Sequence, residues 1–310
     1  MAASSSTARR ETSRTRTLVW LAPTVVVVLA VIVLAARWLR STSGVQDFIA
    51  TYPGSSTLPA WAPVGFPLWV ALLHALNALF MLLIVRSGWQ LRSKGRPAAF
   101  WKRNNTGLLR TPGQPMRISL TLWWHLTLDA LWVGCGVLFL ILLFSTGQWV
   151  RIVPVHWDVV PNALSATLQY VSLQWPTEDG WTNFNALQLL TYFVTVFVAG
   201  PLALLSGLRL SPGLARWWRP LDRRFTLSAA RVLHVSVMVY FVVFTIVHVT
   251  LVLATGALRN LNHMYGLRDD GTWIGFSVFA ASVVLMAALW VLVRPALLRP
   301  VASLTGSVSR

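Results

Sequence analysis

The chain has 310 residues, 55% of them hydrophobic and only 11% charged, with a mean hydropathy of +0.62; these values exclude a soluble globular domain and define an integral membrane protein. Lys and Arg outnumber Asp and Glu 26 to 9, but the cations lie between apolar runs and not on one soluble basic domain, which excludes a nucleic-acid binder. A lone cysteine, Cys135, excludes an internal disulfide and a thiolate cluster.

In chain order, residues 1–16, MAASSSTARRETSRTR, are small, polar and basic, and are expected to remain a disordered tail. The apolar run 17–36 can cross a hydrocarbon core of about 30 Å. It starts too far beyond Arg9 and Arg10, and runs too long, for a twin-arginine export signal, so it is read as an N-terminal anchor. Five further apolar runs follow, at 67–85, 119–144, 186–208, 229–255 and 273–293, and residues 295–310 form a C-terminal tail. The fold class expected is therefore all-α, with six transmembrane helices.

Alternating the segments between the two sides of the membrane puts 21 of the 26 Lys and Arg on the side of the N-terminal tail. That bias places both termini in the cytoplasm. Two segments on the opposite, outer side are more than turns. Residues 145–185 are too long for a structureless connection and carry Trp149, Trp157, Trp175 and Trp181, as expected of a cap at headgroup level, with a short interfacial helix over 161–173. The polar segment GALRNLNHMYGLRDDG, near 257–272, shares that side. Together the two are expected to form either a docking surface or a lid over the bundle.

Four of the six histidines fall within spans. His234 and His248 share one helix and are fourteen residues apart, which at about 100° and 1.5 Å per residue puts both on one face with about 21 Å of rise between them. Measured from the span boundaries, His74 and His248 belong to the outer half of the membrane, and His125 and His234 to the inner half. Topology came from Lys and Arg and depth from hydropathy, so nothing forces the four into depth-matched pairs. An imidazole among Val, Phe, Ile and Leu costs free energy unless a partner is supplied. Two facing imidazoles are the axial ligands that a low-spin b-type haem needs, with no iron position left open for substrate. The reading is two non-covalent haems, an outer one on His74 and His248 and an inner one on His125 and His234, and hence electron transfer. No C-x-x-C-H motif offers covalent attachment. A zinc site would instead need four ligands converging on one point.

Several other side chains are singled out. Asp129 is the one acidic residue inside a span and lies a turn beyond His125, as a proton relay for a quinone would, although a structural hydrogen bond is the alternative. Arg86, Arg117 and Arg231 on the inner side, and Arg151 and Arg259 on the outer, are candidate partners for haem propionates. Gly134 and Gly136 are candidate points of close approach for a flat macrocycle, and ordinary helix packing explains them equally well. His156 and His263 are expected at the surface, and Cys135 is read as a small buried hydrophobe.

The residues LLHALNALFMLLIVRSG, LWWHLTLDALW and RVLHVSVMVYFVVFTIVHVTL resemble the prokaryotic cytochrome b561 group, which includes the cytochrome subunits of nickel-iron hydrogenases and the gamma subunits of formate dehydrogenases. That family has a four-helix core with ligands on the first and second helices, none on the third and two on the fourth. His74, His125, the histidine-free run 186–208, and His234 with His248 match it in that order. The resemblance covers about 65–256, and leaves the first and sixth helices outside the core. It implies a dihaem cytochrome subunit that passes electrons between a partner subunit and the quinone pool of a bacterial inner membrane. The stretches RSG, TGQWVRIVP and TGALRNLNHMYG look like an actinobacterial branch, whose partner would be a molybdopterin oxidoreductase where other relatives have a hydrogenase. A stand-alone transmembrane reductase of the ascorbate-driven type also has six helices, but it carries one ligand on each of four consecutive helices, unlike the shared helix here. A cofactor-free transporter or scaffold is the remaining alternative.

Overall fold

The computed structural model describes the backbone of residues 4–93, 95–106, 114–175, 179–214 and 223–310, with side chains from residue 20 onward except that of Leu214. Of the inner-side cations counted above, those of the N-terminal tail and Lys94, Arg110, Arg216 and Arg219 lie outside the described side chains. Six helices are long and apolar enough to cross a membrane: Trp20–Ser41, Leu68–Arg92, Leu120–Ser145, Ala186–Leu210, Leu227–Ala254 and Ile274–Leu292. The chain is a multi-pass membrane protein, and it divides into two compact units.

One unit comprises residues 1–58, 154–179 and 183–190. Its first helix, α1 (Ser4–Ser41), is followed by α2 (Ser43–Thr51) and, later in the chain, by α5 (Val159–Val171). The helical backbone of α1 begins at Ser4, within the residues read from the sequence as a tail. A helix nucleated in the apolar span propagates into the tail one residue at a time, which costs far less than starting anew. Arg37 and Arg40, ending the first span, donate to the Ser172 carbonyl (3.0 Å) and hydroxyl (2.8 Å). The Asn162 side chain accepts from the Gly54 amide (3.0 Å), and Gln169 donates to the Pro53 carbonyl (2.9 Å). Val159 and Ala163 pack on Ala186 and Leu189. The helix expected over 161–173 is observed as α5, one side of it buried on this unit. Its other side exposes Val160 and Leu164, just beyond the 90% exposed Trp157.

The second unit comprises residues 59–153, 180–182 and 191–310. It contains α3 (Leu68–Arg92), α4 (Leu120–Ser145), the end of the fourth span from Thr191, α8 (Leu227–Ala254), the short α9 (Ala257–Leu261) and α10 (Ile274–Leu292). Ser119 caps α4 by accepting from the Leu122 amide (3.2 Å), and Thr226 caps α8 through the Ala229 amide (3.1 Å). The fourth span is continuous but uneven: α6 (Ala186–Phe193) widens into a π-helical stretch, Val194–Ala199, before α7 (Gly200–Leu210). Pro201 lacks the N–H an α-helix would use there, and the widened turn absorbs the mismatch. Thr195 Oγ1 meets the Tyr240 hydroxyl at 2.8 Å, which ties this span to α8.

At the N-terminal end of α4 a small antiparallel sheet closes the unit. Its order is β2-β1-β3, from β1 (Phe100–Arg103), β2 (Arg117–Ser119) and β3 (Gly306–Ser309). Trp101 pairs with Ile118 on one side and Val308 on the other. Its indole donates to the Ala302 carbonyl (3.0 Å) of α11 (Pro295–Ser303). Gly306 lies where a Cβ would run into the Trp101 indole. The C-terminal residues are therefore folded where the sequence reading expects a simple tail. Ala99, Leu120, Trp123 and Ala302 form the apolar cluster that β3 and α11 cover, and this burial, with the β1–β3 hydrogen bonds, favours the ordered arrangement.

At the other end of the same unit, Arg151 is 1% exposed, follows α4 in a 3-10 turn, Gln148–Arg151, and binds two loop carbonyls at 2.6 Å, those of Gly65 and Gly180. Its guanidinium lies over the Phe66 ring at 4.6 Å. Gly65 has φ +80 and sits against the Trp181 indole, so a side chain there is strained in backbone and in space. Arg151→Met keeps the apolar stem but strips both carbonyls of their donor; at roughly 1.5–3 kcal/mol for each hydrogen bond to a charged group, about 3 kcal/mol of stability is lost. The expected result is a lower thermal midpoint in detergent, and an unchanged midpoint contradicts the bracing role.

Candidate functional site

The four intramembrane histidines meet in two pairs. His74 on α3 faces His248 on α8 with ring centroids 6.3 Å apart and planes at 62°. His125 on α4 faces His234 on α8, again with centroids at 6.3 Å, the planes at 75°. With each nitrogen about 2 Å from a shared metal and the ring adding about 1 Å behind it, two imidazoles on opposite sides of one metal ion put their centroids roughly 6 Å apart. Both pairs have that separation, and the His74 Nδ1 is buried without a hydrogen-bond partner. Among the described residues no three of His, Cys, Asp or Glu gather at one point; each site offers two imidazoles. The donor set fits a bis-imidazole haem.

The pair nearer the sheet is anchored by hydroxyls. Ser87 Oγ lies 2.8 Å from His125 Nδ1, and Ser206 Oγ 3.0 Å from His234 Nδ1. The next residue in each helix is glycine, and a Cβ there would touch the imidazole: 3.4 Å from Gly88 to His125, 3.5 Å from Gly207 to His234. The Asp129 carboxylate comes within 3.6 Å of His125 Nε2 and is 30% exposed, which is proximity without a hydrogen bond.

The other pair is held by rings. Phe244 stacks on His248, with centroids 5.5 Å apart and planes at 5°, and Tyr192 meets the same imidazole edge-on at 6.0 Å. Tyr265 meets His74 edge-on at 6.2 Å. Burial raises the Tyr265 phenol above its usual range, so it stays neutral. Between the pairs, Phe241 falls seven residues from each histidine of α8 and packs against Trp132 (6.3 Å), whose indole donates to Asn77 of α3 (2.8 Å).

Most of the arginines named as propionate partners are engaged by protein groups. Arg86 donates to the Val293 carbonyl (2.8 Å), Arg117 to that of Arg310 (2.8 Å), Arg151 to the loop carbonyls above, and Arg259 to both oxygens of Asp269 (2.6 and 2.9 Å). Arg231 is exposed. No atom from outside their own stretch of α4 lies within 4 Å of a Cβ built on Gly134 or Gly136, so the helix is open at both positions. His156 is exposed as expected, but His263 is not: it is 5% exposed, with Nε2 2.6 Å from Asp269. The Arg259 hydrogen bond, and then that of His263, hold the Asp269 carboxyl well below the usual range. The Arg259 guanidinium and the His263 imidazole converge on the one Asp269 carboxylate, and this short segment folds the histidine inward. Ser87, Ser206, Gly88, Gly207, Tyr192 and Phe244 escaped the sequence reading. The two Ser-Gly dipeptides inside apolar spans were the available signal.

Apolar spans that bring four imidazoles together as two facing pairs define a membrane-embedded helical bundle with two pairs of candidate ligands. Over residues 65–266 the chain matches the family described as prokaryotic cytochrome b561, and it belongs to that family. It is a membrane b-type cytochrome of a family that binds haem b and takes part in electron transfer. The match runs past residue 256 to include Tyr265. Comparison with curated proteins and with solved structures gives no match.

Proposed function

We propose that the chain binds two b haems, one between His74 and His248 and one between His125 and His234, and serves as the subunit that passes electrons between a redox partner and the membrane quinone pool. The equal 6.3 Å separation of the two imidazole pairs carries this reading. Haem b held by two histidines supplies one-electron transfer without an open iron position. The chain's residues hold the imidazoles in register, keep water out with Phe241 and Trp132, and place the Asp129 carboxylate where a quinone could exchange a proton near the sheet-side pair. The excess of Lys and Arg on the side that the alternation of spans gives the N-terminal tail supports a bacterial inner-membrane orientation with both termini cytoplasmic. The propionates would then find cationic or hydrogen-bonding partners where the spans meet the surface.

The partner, of molybdopterin oxidoreductase or hydrogenase type, docks on the outer segments, 145–185 and 257–272. Trp157, Val160 and Leu164 form an exposed apolar stripe along α5, suited to the buried centre of an interface. Purified in mild detergent, the chain is expected to carry partner molybdenum or nickel in metal analysis. The double variant Trp157→Ser, Leu164→Ser should lose that metal and keep its haem. If the metal stays, the docking surface lies elsewhere.

A further inference from the structure

The two imidazoles nearer the sheet share an arrangement that the other pair lacks. Each serine hydroxyl has a single proton. That of Ser87 goes to the Ile84 carbonyl at 3.0 Å, and that of Ser206 to the Leu202 carbonyl at 2.7 Å. With that proton directed at a carbonyl, each oxygen can accept from its histidine, and this arrangement favours the tautomer with the proton on Nδ1 and the lone pair on Nε2. Both serines are 0% exposed, which leaves water no access to compete. Two helices from distant parts of the chain thus present the same Ser-Gly dipeptide to the two rings of one site. At the other site His74 Nδ1 has no partner, and His248 is held by the faces and edges of Phe244 and Tyr192.

We infer that Ser87 and Ser206 are positioning residues which fix the Nδ1–H tautomer of His125 and His234, make both ligands more basic, and so lower the reduction potential of that one site. The inference rests on the reading that His125 and His234 ligate a haem. A ligating imidazole that donates its second N–H gains basicity, and a more basic axial ligand favours the oxidised iron, a recognised lever on haem potential. Removing the acceptor reverses the effect.

The experiment is a spectroelectrochemical titration of the purified protein, with haem counted as the pyridine haemochrome. Ser87→Ala and Ser206→Ala are each expected to shift the same one of two redox waves to more positive potential. The double variant should shift it further, with the other wave unmoved and two haems retained. Threonine keeps a hydroxyl that can bond the preceding turn, so Ser206→Thr is expected to hold the wild-type potential even if an alanine variant loses that haem. Waves that do not move while both haems stay bound overturn the inference, as do serines that shift different waves or a threonine variant that behaves as alanine does. A wild-type protein with fewer than two haems overturns the reading beneath it, and the two failures are told apart by the haem count.

Discussion

Replacing His248 with alanine is expected to lower the haem content from two per polypeptide to one, and His74→Ala to remove the same one. Each ring lies opposite the other at 6.3 Å, so neither alone can hold iron from both sides. The pairing makes a sharper demand on double variants. Residues that act as a unit are strongly non-additive, so His74→Ala with His248→Ala should lose no more haem than either change alone. His248→Ala with His234→Ala should lose both haems, because those two histidines share α8 but serve different sites. Haem loss that simply adds across His74 and His248 would show that the pairs are drawn wrongly.

Asp129→Asn is expected to slow quinone reduction by about a hundredfold, the scale that a positioned proton donor or acceptor contributes, and to flatten its pH dependence. The carboxylate lies 3.6 Å from His125 Nε2, a turn away on α4, and asparagine preserves its size and one acceptor oxygen while removing the titratable proton. Both haems should remain bound and reducible by dithionite. A variant with wild-type rate and pH profile would make Asp129 a structural group of the helix surface.

The spans were legible because twenty apolar residues in a row have few other solutions. The histidine pairs were legible because depth could be counted from the ends of those runs. The serines were not. In a helix a serine commonly bonds the preceding turn and needs no further partner, and only the packing of α3 on α4 and of α7 on α8 shows that Ser87 and Ser206 also meet imidazoles. The sheet was hidden by distance along the chain: Trp101 pairs with Val308, and neither FWKR nor GSVS has enough alternation to announce a strand. His263 was read as a surface residue from a polar segment, since its burial depends on Asp269 and Arg259 folding back over it. The helical backbone of residues 4–16 belongs to the same class, being a continuation of its neighbour and not a property of its own composition.

The most direct measurement is the haem-to-polypeptide ratio of the purified wild-type protein, from pyridine haemochrome absorbance against quantitative amino-acid analysis. Two facing imidazole pairs predict two haems per chain, both low-spin and neither binding carbon monoxide, since no iron position is open. A ratio of one, or a haem that binds carbon monoxide, would contradict the assignment of His74 with His248 and His125 with His234 as two complete ligand sets.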